Sequence, residues 1–143
     1  MTESQKTLFL DQSLSEAKKQ AWKFFSEYIR RRNADKNGYI YCCSCGKYIH
    51  WKQSQAGHWP SIDGRNNSIL FSETGVNAQC GQCNTYKNGN PSGYDAFMRK
   101  KYGQKEMDRL LKIKHDTVKY EKTDYIRMIE KWQKEMEDFV CKY

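Results

Sequence analysis

Gln79-Cys80-Gly81-Gln82-Cys83-Asn84 carries a CxxC pair that runs straight into Asn84, and an earlier stretch, Cys42-Cys43-Ser44-Cys45-Gly46, carries another. Two such pairs have the ligand spacing of a tetrahedral four-thiolate zinc site. Cys43 offers an alternative to Cys42, but a CxC loop is tighter than a zinc knuckle requires, so Cys42, Cys45, Cys80 and Cys83 are the expected ligands. With four sulfur ligands no position is open for substrate, and the expected zinc is structural. Its binding free energy, about 10–16 kcal/mol, matches the whole stability of a small domain, about 5–15 kcal/mol. The metal therefore decides whether this region folds.

Outward from the pairs, the chain reads as α+β. Tyr39-Ile40-Tyr41 and Tyr48-Ile49-His50-Trp51 read as strands flanking the first knuckle, where Gly46 supplies a left-handed turn. Residues 55–79 read as a second hairpin with a long loop. A short helix starts at Cys83 and stops at Asn88-Gly89-Asn90. A hairpin and a helix start joined by one zinc form a treble-clef or ββα-metal arrangement. Upstream, Ser13 and Glu16 read as a capping box for a helix ending near Arg32. The cluster Arg30-Arg31-Arg32 suits that helix terminus and equally suits phosphates. Residues 1–12 show no periodic pattern and are expected to be a flexible N-terminus.

Downstream the chain is helical. One helix is expected from Pro91 to about Tyr102, with Gly103 as its stop, and another over 104–115. A last one starts near Thr123, with Tyr125, Ile129, Trp132, Met136, Phe139 and Tyr143 on one face. That stripe serves core packing or a homodimer. The expected organisation is 1–12 flexible, 13–103 a zinc-stabilised core with its N-terminal helix, and 104–143 a helical extension.

Composition narrows the partners. The 143 residues carry 25 Lys+Arg against 17 Asp+Glu, a formal charge of +8, and 14% are aromatic. A basic, Tyr- and Trp-rich chain suits a polyanion, because Lys and Arg gain by releasing counterions from phosphates. No apolar run reaches the length of a membrane span, and no secretory leader is evident. Paired metal-type cysteines argue against a disulfide framework. The expectation is a soluble, cytoplasmic chain with no membrane partner.

His58 falls where the intervals from Cys45 and to Cys80 put it on a strand beside the helix after Cys83. His50 is too close to the knuckle for the same role and reads as a strand or surface residue, and His115 lies outside the zinc frame. Phosphodiester hydrolysis needs a base to deprotonate water and a cation to absorb charge on the phosphate. A neutral imidazole suits the first task. Asn84 can offer an amide oxygen to Mg²⁺ or Mn²⁺, or can cap the helix. Lys52, Arg65 and Lys87 are candidate phosphate contacts, and Asp63 is a candidate for the catalytic metal shell. Trp51, Trp59 and Tyr86 are candidates to stack on unpaired bases, with core burial as their ordinary role.

The runs Cys42-x2-Cys45-Gly46, Gln55-Ala56-Gly57-His58 and Gln79-Cys80-x2-Cys83-Asn84 resemble the NinG (Rap) recombination proteins of lambdoid phages. So do Phe25-Ser26-Glu27-Tyr28-Ile29-Arg30, Tyr94-x2-Phe97-Met98-x2-Lys101-Tyr102-Gly103 and Thr117-Val118-Lys119. The resemblance implies a structure-selective, divalent-metal-dependent DNA endonuclease for Holliday junctions and D-loops, working in the cytoplasm of a host bacterium. The zinc core also resembles the HNH/endonuclease VII group, which implies His58 as general base and Asn84 as metal ligand. Two positions depart from that group. The carboxylate that often precedes the histidine is Gly57 here, and an asparagine expected five positions before the second pair is Gly75, with Asn77 two places later. One amide oxygen cannot hold a divalent ion alone. Either another side chain substitutes, or His58 binds the metal and something else is the base. The alternative expectation is a non-catalytic zinc-dependent DNA-binding module.

Overall fold

The computed structural model describes residues 1–62 and 66–139. Its elements are α1 (Glu3–Leu10), α2 (Leu14–Arg31), β1 (Tyr39–Tyr41), β2 (Tyr48–His50), β3 (Ser54–His58), β4 (Val76–Cys80), α3 (Pro91–Lys101), α4 (Gln104–Ile113) and α5 (Lys122–Glu137). A 3₁₀ turn, Trp51–Gln53, links β2 to β3, and one wide π-type turn, Gln82–Tyr86, follows β4. The strands form two antiparallel hairpins, β1–β2 and β3–β4. The α+β expectation holds.

Ser13 starts α2 by accepting the Glu16 N–H at 3.1 Å. Apolar residues four apart, Ala17, Ala21, Phe25 and Ile29, then make one buried stripe. That stripe meets Tyr125, Ile126, Ile129 and Trp132 of α5. Phe25 and Tyr28 hold the Trp132 ring from two sides, with centroids at 5.1 and 4.7 Å. Of the two expected roles for the last helix's apolar stripe, core packing is the one seen: Tyr125, Ile129 and Trp132 face α2 of the same chain. Tyr143 lies outside the described residues.

The first residues differ from expectation. Residues 1–12 carry α1, closed by a reciprocal capping box in which Thr2 and Gln5 bond each other's backbone at 2.8 and 3.1 Å. Phe9, 5% exposed, packs into the α2–α5 seam, and Lys122 donates to the Leu10 carbonyl at 2.9 Å. One turn of capping chemistry and a single buried ring are too short a signal for a periodicity test.

The β3–β4 hairpin lies between two helical layers. The register pairs Gln55 with Gln79, Gly57 with Asn77 and His58 with Val76. Because side chains alternate, Ala56 and Val76 point to the α2–α5 side, where they join Phe25, Ile29 and Trp132. Gln55, Gly57, Asn77 and Gln79 point to the other side, towards the wide turn and α3. There Tyr94 of α3 donates to the Gly57 carbonyl at 2.7 Å. Met98 of α3 and Met107 and Leu110 of α4 complete a second apolar cluster with Trp59 and Ile69.

Candidate metal centre and polar cleft

The two knuckles converge because β4 hydrogen-bonds its neighbours on both sides. The Cys43 N–H donates to the Ala78 carbonyl at 3.0 Å, and Gly46, at φ +79°, turns its N–H back to the Cys42 carbonyl at 2.9 Å. The ligand atoms of Cys42, Cys45, Cys80 and Cys83 then lie within 4.8 Å of one another. Cys45 and Cys80 sulfurs stand 3.8 Å apart. A tetrahedron with Zn–S bonds of about 2.3 Å has an edge of about 3.8 Å. The donor set and spacing fit zinc. Cys43 is not in the cluster; it packs beside Trp59 and Tyr94, which decides between it and Cys42. Asn90 donates its Nδ2 to the Cys83 sulfur at 3.3 Å, a contact that favours thiolate over thiol. The sequence marked Asn90 only as a helix stop; in the structure it also caps α3, its Oδ1 accepting the Gly93 N–H at 3.4 Å.

His58 ends β3 and is half-buried. Its ring stacks on Trp22, with centroids 5.5 Å apart and planes at 16°. Nε2 lies 3.2 Å from the Leu70 carbonyl. A carbonyl only accepts, so Nε2 carries the proton and Nδ1 is left as the acceptor. Burial lowers the pKa of His58 from its usual value, with the Leu70 carbonyl opposing. The neutral ring is therefore favoured at pH 7.

Asn84 sits inside the wide turn and does not cap it: the capping position is Gly81, with no side-chain bond. The Asn84 Nδ2 instead donates to Gln55 Oε1 at 2.7 Å, which turns Oδ1 the other way. His58 and Asn84 line one cleft of about 150 Å³ with Ser61, Ile62, Asn88 and Gly89. Both residues that the sequence singled out border this cleft, while the His58 ring itself lies against Trp22 and the Leu70 carbonyl.

Other candidates fall differently. Asn77 is buried and braces the site's back: it accepts from Arg32 at 2.9 Å and donates to the Thr74 carbonyl at 2.9 Å and the Tyr94 hydroxyl at 3.2 Å. Arg32 also donates to the Glu73 and Val76 carbonyls at 2.8 and 3.0 Å, so its guanidinium serves the β4 approach. Lys52 and Lys87 are exposed. His50 caps the 3₁₀ turn, accepting the Lys52 N–H at 3.2 Å. Asp63 and Arg65 lie outside the described residues. Trp51 and Trp59 are buried, whereas Tyr86 is 83% exposed. Sequence reasoning missed a face of exposed rings on β1–β2: Tyr39, Tyr41 and Tyr48 stand in contact, with centroids 5.0 and 4.8 Å from Tyr48. Their every-other-residue spacing was the available signal.

Residues 3–140 match the family described as Bacteriophage Lambda NinG protein. The chain belongs to that family. No curated protein and no solved structure matches it. Within this NinG-family chain, the match spans both CxxC pairs, His58 and Asn84. Among the described residues no helix is long and apolar enough to cross a membrane.

Proposed function

We propose that this chain is a divalent-metal-dependent endonuclease for branched DNA, hydrolysing phosphodiester bonds in recombination intermediates such as Holliday junctions and D-loops, in the cytoplasm of a host bacterium. The observation that carries the reading is the cleft shared by His58 and Asn84, beside four converging cysteines. A zinc-joined hairpin and following helical turn support an HNH-like, treble-clef core.

In this mechanism His58 is the base. With Nε2–H held by the Leu70 carbonyl, Nδ1 takes a proton from water, and the Trp22 ring keeps the imidazole from rotating. Asn84 Oδ1 belongs to the shell of a divalent ion, a hard cation suited to oxygen donors. Mg²⁺ or Mn²⁺, when bound, supplies neutralisation of charge at the phosphate and the leaving oxygen. Lys52 and Lys87 attract flanking phosphates. The exposed rings of Tyr39, Tyr41, Tyr48 and Tyr86 suit unpaired bases, since every base has a face to stack.

A synthetic four-way junction incubated with protein and Mg²⁺ tests this reading. His58→Ala is expected to lose at least a hundredfold in cutting rate while retaining zinc and junction binding. Retained cutting ends the base assignment. The lack of a carboxylate at Gly57 favours a second reading, a zinc-dependent DNA-binding module, and a wild-type protein that shifts the junction without nicking it selects that one.

A further inference from the structure

We infer that Gln79 Oε1 and Asn84 Oδ1 together form a site for a hard divalent cation over the bare face of Gly57. The inference rests on the nuclease reading for the ion's purpose; its geometry is independent of it.

Gln79 is fully buried and its amide has one orientation. Nε2 donates to Ser44 Oγ at 2.7 Å and to the Gly89 carbonyl at 2.9 Å. Exchanging the two ends would set the amide oxygen against the Gly89 carbonyl oxygen. Oε1 therefore points away from both, and no donor meets it among the described residues. An acceptor left unpaired inside a protein is a cost that folding ordinarily avoids.

Asn84 is oriented in the same manner, with its Nδ2 on Gln55. The two oxygens border one volume beside Gly57. A Cβ added to Gly57 would overlap Gln79 Oε1 and stand 2.9 Å from Asn84 Oδ1. The strand is kept there by the Tyr94 hydroxyl on the Gly57 carbonyl. Two amide oxygens bordering one small volume with no proton between them repel, and a cation between them removes that repulsion. Oxygen-only donors select a hard ion such as Mg²⁺ or Mn²⁺ over zinc. Neutral donors hold it weakly, which leaves the remaining attraction to a substrate phosphate. Gln79 directly precedes Cys80, so the sulfur-bound metal also pins this oxygen. Gln79 thus supplies the oxygen that the residue before His58 lacks.

The test is a Mn²⁺ titration of the full-length, zinc-loaded protein, read by the NMR side-chain amide signals of Gln79 and Asn84. These signals and the Gly57 amide are expected to broaden first. Broadening elsewhere, or none, means that a water donates to both oxygens and overturns the inference. A Gln79→Ala variant, checked for zinc content, should bind Mn²⁺ at least tenfold more weakly by electron spin resonance. The double change Gly57→Asp with Gln79→Ala should bind it more tightly than wild type, because a carboxylate then occupies the vacated volume. Unchanged Mn²⁺ affinity in Gln79→Ala also overturns it, and if that variant loses zinc the wild-type spectrum decides alone. Junction cutting without broadening at Gln79 removes this site and leaves the nuclease reading intact. Broadening there in a protein that never cuts does the reverse.

Discussion

At Gly57 one missing methyl group makes room for a buried amide. The volume a side chain would fill holds the Gln79 amide, and Tyr94 keeps the backbone from retreating. Gly57→Ala should therefore destabilise the fold by about 1–3 kcal/mol, as overpacking of a close-fitted site does, measured by urea unfolding. A variant as stable as wild type would mean that Gln79 moves aside freely. His58 carries a second expectation at this scale. Its folded pKa is lowered by burial, so the neutral base predominates at pH 7 and the acid limb of the cutting rate should fall below pH 6.5. The same sign applies to stability: below its unfolded value near 6.5, the unfolded chain takes up a proton that the native ring resists, and stability declines as pH drops. A rate limb centred above that value would remove His58 as the base.

Among the elements, the β1–β2 hairpin is short and leans on the cysteine cluster beside it. β1 and β2 have three residues each, and a two-stranded hairpin is marginal in water. What joins this hairpin to the end of β4 is the cluster of Cys42, Cys45, Cys80 and Cys83. A chelator strong enough to strip zinc should abolish the cooperative thermal transition, and added Zn²⁺ should restore it, followed by circular dichroism. A melt unchanged after metal removal would sink the zinc assignment. The helices are otherwise anchored. α2 and α5 interlock through Phe25, Tyr28 and Trp132, and α1 closes their seam with Phe9.

For the whole molecule, the +8 balance predicts salt-sensitive binding to branched DNA. Junction affinity should fall linearly with salt on a double-logarithmic plot, measured by fluorescence anisotropy. A flat plot would favour a protein-binding role. The same titration reads stoichiometry, and two chains per two-fold junction are expected. Such a pair has to use a face other than the Tyr125–Ile129–Trp132 stripe, which α2 covers.

Four cysteines at CxxC spacing, a 3.6-residue stripe in α2 and glycines at turn positions act through near neighbours and regular periods. They were legible in the one-dimensional chain, and so were the two hairpins, a short helical segment at Cys83 (in the structure a single wide turn) and the NinG family. The place of His58 on a strand and of Asn84 in the turn at Cys83 was also legible. What the linear order does not contain is which side chains face each other once layers pack. The docking of α1, the α2–α5 partnership, Arg32 and Asn77 as braces, and Gln79 turned towards Asn84 all depend on contacts between residues far apart in the chain. Burial decides these: an amide inside the fold must point its donors at fixed acceptors, and the direction left over for its oxygen exists only in three dimensions.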